Sequence, residues 1–367
     1  MIEQSLPLNQ KIGQLFFIGI HGPQMDEQTR ELLTEIWPGG VCLFARNIRE
    51  AEQTRHLLDE IRESLPVMPF LSIDQEGGLV DRLRRIMAPM PAASKLRNTD
   101  EAIKLAEIIA ESLLILGFNM DFAPVVDVID DERGKYSNGL FSRTFGSSKE
   151  DALTLGGRFL TSLQENGIIG CLKHFPGLGA ASVDSHEDLP QVNITQDELF
   201  STDLFPYNEL LKTGAAKAVM AAHAAFPQVN LQENDQSGKL LPSSLSKNFI
   251  TTLLRDELGF DGLVITDDLE MGAIVKNYGI GEACKMAVAA GVDMLAICAD
   301  PEAIRDGYHS VLQAVKNGEV TEDRIDISLA RIAVLKNELS EPSIFDPVRL
   351  RQLSDQVAAL NESLTPA

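Results

Sequence analysis

The segment from Lys173 to Pro190, KHFPGLGAASVDSHEDLP, brings a cation, two imidazoles and acidic side chains into one glycine-rich stretch. That mixture of groups in one glycine-rich loop is the chemistry of an active-site loop, with Asp184 and His186 on the part long enough to fold back. The bland alternative is a capping box between Asp184 and Glu187 around a short turn, with His186 solvated. The apolar residues Ile168, Ile169, Cys171 and Leu172 precede the segment and read as a buried strand that stops before Lys173 and His174. Pro176, Gly177 and Gly179 then oppose immediate helix formation, leaving a long loop able to return over the strand end.

Other apolar runs also finish on a polar side chain. Asp74 follows Leu71 to Ile73, Asp127 follows Val125 and Val126, His223 follows Val219 to Ala222, and Asp267 follows Ile265 and Thr266. Each has a structural reading beside the functional one. Asp74 could belong to a plain turn with Glu76 and two glycines, His223 could be a hydrogen-bonded core histidine, and Asp267 or Asp268 could cap the next helix.

These residues are positioned by a repeating pattern. Strand-like runs alternate with helix-like ones: 41–44 then 50–63, 69–73 then 101–116, 120–126 then 152–164, 218–221 then 245–258, 263–266 then 281–290, and 294–297 then 303–315. Such βα repetition implies a parallel sheet, and the number of units suits a (β/α)8 TIM-type barrel with long βα loops. A Rossmann sheet would normally carry a glycine turn for phosphate after its first strand, and the chain has no GxGxxG or Walker loop. A last helix is expected from a Thr321 N-cap to Leu339, ended by Pro342. The expected organisation is one barrel domain over residues 1–340, with a tail over 341–367 packed against it.

The charge of -22 and pI near 4.6 disfavour nucleic acid and anionic membranes as partners. An apolar fraction of 44% is ample for a large core. Leu15 to Ile20 is too short for a signal core or a membrane span, so a cytoplasmic protein is the expectation. Cys42, Cys171, Cys284 and Cys298 lack CxxC spacing and read as reduced buried thiols. The histidines show no close ligand spacing, so neither a metal nor another cofactor is expected.

Taken in order, several motifs resemble glycoside hydrolase family 3, in particular its single-domain bacterial β-N-acetylglucosaminidases. They are KIGQLF at Lys11, GGVCLFARN at Gly39, IDQEGGLVDRLRR at Ile73, DFAPVVDV at Asp121, SRTFG at Ser142, KHFPGxG with DSHxxLP, MAAH at Met220, and ELGFDGLVITDDLEM at Glu257. Strand alternation leaves the choice between Asp267 and Asp268 open. The resemblance implies Asp267 as nucleophile, His186 with Asp184 as acid/base, and Asp74, Arg82, Arg143, Lys173 and His174 as sugar-binding residues. It places His223 near the pocket in binding or support.

The activity so implied is a retaining exo-β-N-acetylglucosaminidase acting on GlcNAc-containing muropeptides in peptidoglycan recycling; separately, no cofactor and a monomer are expected. A related family β-glycosidase, a GlcNAc phosphorylase and a non-catalytic sugar-binding protein are the alternatives. Many relatives read KHFPGHG where this chain has Leu178, which implies altered loop packing or aglycone contact rather than inactivity. Larger members add a further α/β domain to the site, so at this length the acid/base is expected from the barrel itself.

Overall fold

The computed structural model describes residues 5–135, 140–181 and 189–365. Eight parallel strands close into a barrel in chain order: β1 Phe16–Gly19, β2 Gly40–Leu43, β3 Phe70–Ile73, β4 Met120–Asp121, β5 Ile169–Phe175, β6 Ala218–Ala221, β7 Leu263–Asp268 and β8 Met294–Ile297. The ring closes where Phe17 of β1 pairs with Ala296 of β8. Strands covered on both faces need no polar alternation, which is why most of these read as uninterrupted apolar runs.

A helix follows every strand: α1 Glu27–Ile36, α2 Ala51–Ser64, α3 Thr99–Leu116, α4 Gly157–Glu165, α5 Phe205–Lys212, α6 Asn248–Glu257, α7 Ile280–Ala290 and α8 Pro301–Lys316. The fold is therefore the expected (β/α)8 barrel. The first strand, however, does not figure among the sequence-expected ones, because four consecutive apolar residues carry no period to separate strand from helix. Phe17 fills the barrel interior, stacked on Phe70 with ring centroids 5.7 Å apart and meeting Phe122 edge-on at 5.3 Å. Gly40 makes room for it, since a Cβ there would lie 2.2 Å from the Phe17 ring.

Two strand limits differ from expectation in ways that shape the mouth. β4 ends at Asp121 instead of continuing to Val126, because Pro124 has no N–H for a ladder. Pairing resumes beyond it, where the Val126 N–H donates to the Lys173 carbonyl at 2.9 Å. β5 continues through Lys173 and His174 to Phe175, with its register against β6 shifting between Leu172 and Phe175. The peptide bonds Lys173–His174 and Phe175–Pro176 are both cis.

At the opposite end, the buried carboxylate of Asp293 accepts from the Val264 N–H at 3.0 Å, Arg255 at 2.5 Å and Ser328 at 2.8 Å, tying β7, β8 and α6 to α9 Glu322–Lys336. Thr321 caps α9, accepting from the Arg324 N–H at 3.2 Å. The last helix, α10 Pro347–Leu364, turns Leu350, Leu353, Val357 and Leu360 inward at helical spacing. Its Arg349 meets Glu111 of α3 at 2.5 Å and 2.7 Å. Among the described residues, no helix is long and apolar enough to cross a membrane.

Candidate active site

A cavity of about 200 Å³ opens among the C-terminal strand ends, lined by polar and apolar side chains from all around the barrel. Asp74 follows β3, Lys173 and His174 are the last residues of β5 before Phe175, and Asp267 and Asp268 finish β7; Arg82 and Arg143 come from the loops after β3 and β4. All seven line the cavity, with Phe44, Val80, Phe122 and Met271 among its apolar walls. C-terminal strand ends are where barrel enzymes build their sites.

The loop after β3 is organised by its own polar residues. Gln75 accepts the N–H groups of Arg82 and Leu83 at 2.9 Å and 3.1 Å while donating to Asp81 at 2.9 Å. This fixes where the Arg82 side chain starts. Its guanidinium contacts Asp74 at 3.3 Å and lies 5.8 Å from the Phe44 ring centroid.

Glu76 sits beneath this loop, almost fully buried, and joins two of the cations. Its Oε1 meets Lys173 Nζ at 2.5 Å, and both its oxygens accept from Arg143 at 2.8 Å. Lys173 also bonds Asp74. Burial pushes the Glu76 carboxyl up, but Lys173 and Arg143 outweigh it and hold the group down at about 2. Burial likewise opposes the Lys173 ammonium, and Asp74 with Glu76 more than compensates, raising its pKa. The result is an alternating charge lattice that keeps the donors ionised and fixed.

Asp127 anchors the other side. Its Oδ2 lies 2.7 Å from His174 Nδ1, so that nitrogen carries the proton, and its Oδ1 accepts the Leu178 N–H at 2.8 Å. The second His174 nitrogen is 3.4 Å from Arg143. Leu178, where many relatives are expected to carry histidine, lines the cavity. The loop is drawn in so tightly that a Cβ on Gly179 would fall 1.9 Å from the Val128 carbonyl oxygen.

The two carboxylates ending β7 differ in how readily they ionise. For Asp267, burial raises the pKa, yet the rings of His174 and His223, the Asp268 N–H and the Lys173 ammonium together bring it below the usual value. Its Oδ1 accepts the Asp268 N–H at 2.8 Å. Asp268 is met by the backbone N–H groups of Glu270 and Cys298, which favour its ionised form. Burial, with Glu270 and Asp267 adding repulsion, pushes it up to about 7.

His223 is wholly buried and does not line the cavity. Its Nδ1 lies 2.7 Å from Ser244 Oγ, and its Nε2 donates to the Asp268 carbonyl at 3.1 Å. It therefore stands behind the β7 tip, and burial lowers its pKa. Asp184 and His186 lie outside the described residues. Glu76 escapes sequence reasoning as a site residue because only the return of its loop buries it against Lys173, although an acid just after a strand-end aspartate is a usable signal. Asp127 is visible as a strand-end acid, but its pairing with His174 is tertiary.

A barrel whose strand ends gather carboxylates, fixed cations and apolar walls into one small cavity has the makings of a carbohydrate-processing hydrolase. The sequence model of the glycosyl hydrolase family 3 N terminal domain matches residues 7–335. The β-hexosaminidase of Tolumonas auensis is 34% identical over 305 residues, spanning 82% of this chain and 86% of that protein. That of Pseudomonas aeruginosa is 35% identical over 290 residues, spanning 77% and 82%. A solved family 3 β-N-acetylglucosaminidase from Paenibacillus superposes with a TM-score of 0.86 at 34% identity, covering 97% of this chain and 69% of that one. A family 3 glycosyl hydrolase from Mycobacterium smegmatis gives 0.81 at 32% identity, covering 92% and 99%. The chain belongs to glycoside hydrolase family 3 and is a glycoside hydrolase.

Proposed function

We propose that this enzyme is a retaining exo-β-N-acetylglucosaminidase that removes terminal β-linked GlcNAc, with GlcNAc-containing muropeptides of peptidoglycan recycling as its substrates and the cytoplasm as its compartment. The β-hexosaminidase names of its relatives support the sugar, and the asymmetry between Asp267 and Asp268 carries the mechanism. A nucleophile must be ionised at working pH, and Asp267 is the β7 carboxylate held below its usual range in the cavity.

In the first step an Asp267 oxygen bonds to the anomeric carbon as the bond to the bridging oxygen breaks, and His186 gives that oxygen its proton. Asp184 holds the His186 tautomer and stabilises the imidazolium. In the second step His186 takes a proton from water, the water oxygen bonds to the anomeric carbon, and Asp267 leaves as carboxylate. Two inversions give net retention. Asp74, Arg82, Arg143, Lys173 and His174 hold the sugar's hydroxyls and acetamide in one pose. His223 is assigned support of the β7 tip, through the Asp268 carbonyl.

The test is a 5-fluoro-GlcNAc inactivator followed by peptide mass spectrometry. A covalent sugar on Asp267 is expected; labelling of another residue, or none under conditions of turnover, overturns the assignment.

A further inference from the structure

We propose that Glu270 is a positioning residue for the reaction, locking the tip of β7 to the end of β8 and so setting the orientation of Asp267 and Asp268. The inference rests on the reading of Asp267 as nucleophile.

Glu270 accepts three consecutive backbone N–H groups: Cys298 at 2.8 Å and Ala299 at 2.5 Å on one oxygen, and Asp300 at 2.9 Å on the other. Asp300 is itself the cap of α8, so the carboxylate sits in the turn joining β8 to that helix. Three successive N–H groups converging on one side chain form an anion cradle, here filled by the protein's own carboxylate. On its other side, the Glu270 N–H donates to Asp268 Oδ1 at 3.1 Å, and the Asp268 N–H donates to Asp267 Oδ1 at 2.8 Å. A continuous chain of hydrogen bonds thus runs from the β8 turn to the proposed nucleophile.

The barrel ladder supplies only part of this constraint, since β7–β8 pairing resumes at Asp268 opposite Ala296, where the Leu269 N–H donates to the Ala296 carbonyl at 2.9 Å, and the Glu270 contacts lie beyond that last rung. Pairing between β7 and β8 slips between Ile265 and Asp268, so the strand register is irregular where the carboxylates are presented. The opposite face of the β8 turn is held as well, since Arg46 bonds the Cys298 carbonyl and reaches the Ile20 carbonyl at 3.1 Å. Cys298 lines the cavity beside Asp268, so slack in this turn would reach the reacting centre directly.

Glutamine cannot replace the glutamate here. Its amide has one acceptor oxygen, and its NH2 group would face a backbone N–H. The full chain is compared as wild type, Glu270→Gln and Glu270→Ala, using an aryl β-GlcNAc substrate, the 5-fluoro-GlcNAc inactivator and thermal melts. Misplacing a reacting group by a fraction of an ångström predicts kcat and the Asp267 labelling rate lower by about 10- to 100-fold in both variants, with KM changed far less. Added formate should partly restore Glu270→Ala, whose cradle is empty, and leave Glu270→Gln unchanged; a merely structural role gives no such split. If the alanine variant does not fold, the isosteric glutamine variant carries the test. Wild-type labelling rates in a folded Glu270→Gln enzyme overturn the role of Glu270 alone, whereas wild-type enzyme that is not labelled at Asp267 overturns the underlying nucleophile reading.

Discussion

The ammonium of Lys173 and the carboxylate of Glu76 meet at 2.5 Å with both side chains almost entirely withdrawn from solvent. Glu76 also holds Arg143, so a single acid spaces two cavity-facing cations. Removing it takes away the carboxylate that Arg143 grips and leaves Lys173 with Asp74 alone, and Glu76→Ala is expected to cost about 3–5 kcal/mol in denaturant melts and to raise KM sharply. A fully stable variant would show that the lattice is dispensable.

The same pair has a pH signature. The folded Glu76 carboxyl titrates at about 2, below its ordinary 4.5, so its contribution to stability is complete above 4.5 and is lost as pH falls towards 2. Glu76→Gln removes that titration. Stability measured from pH 5 down to pH 2 should therefore fall less steeply in the variant than in the wild type; parallel slopes would contradict the pairing.

Asp268 behaves in the opposite sense. Its folded pKa is raised to about 7 from 3.8, so the favourable state is the protonated one, fully present below 3.8 and lost as pH rises through 7. Asp268→Asn should gain stability relative to the wild type at pH 8 and little at pH 4. A limb near pH 7 in the wild-type kcat/KM profile, absent from this variant, would assign the titration to Asp268. Asp267 is held below its usual range, so its own ionisation is not expected to shape the profile near neutrality.

Much of this site is legible in the sequence, because a polar residue after an apolar run marks a strand end and barrel closure gathers those ends on one face. Asp74, Lys173, His174 and Asp267 line the cavity for that reason, and family motifs add Arg82 and Arg143. What escapes is set by contacts between loops. Glu76 becomes a lattice member only when its loop folds under Lys173, and Glu270 finds the β8 turn across 28 to 30 residues of chain. The backbone also departs from simple periodicity. The helical stretch expected over 152–164 begins with a π-helical turn, Ala152–Gly156, before α4, and α6 is wound with the same wider spacing; apolar patterns place such helices without revealing their winding. The choice between Asp267 and Asp268 needs the charges around each, which alternation along one strand does not contain.

The proposed acid/base role of His186 predicts a dependence on leaving group. A glycosidic oxygen with a high proton affinity must be protonated as its bond breaks, whereas an activated aryl oxygen departs with little help. His186→Ala should therefore lose far more activity on oligosaccharides than on dinitrophenyl β-GlcNAc. Equal losses on both substrates would remove His186 from that step.

Asp127 tests whether the tautomer of His174 matters to the sugar pocket. Its two oxygens accept from His174 Nδ1 at 2.7 Å, from the His174 N–H at 3.3 Å and from the Leu178 N–H at 2.8 Å, so it orients the imidazole and the start of the long loop together. In Asp127→Asn the amide oxygen can satisfy either Nδ1–H or the backbone, and the new NH2 faces whichever donor remains. Relief by moving the proton to Nε2 would turn an N–H toward Arg143, which already approaches that nitrogen at 3.4 Å as a donor. One mismatched buried donor costs about 1–3 kcal/mol, which in kcat/KM corresponds to about a 5- to 150-fold loss. The variant should fold with its barrel intact by circular dichroism and show this loss mostly through KM, because the imidazole is assigned to binding and not to bond cleavage. A loss confined to kcat would place His174 in the chemical step instead.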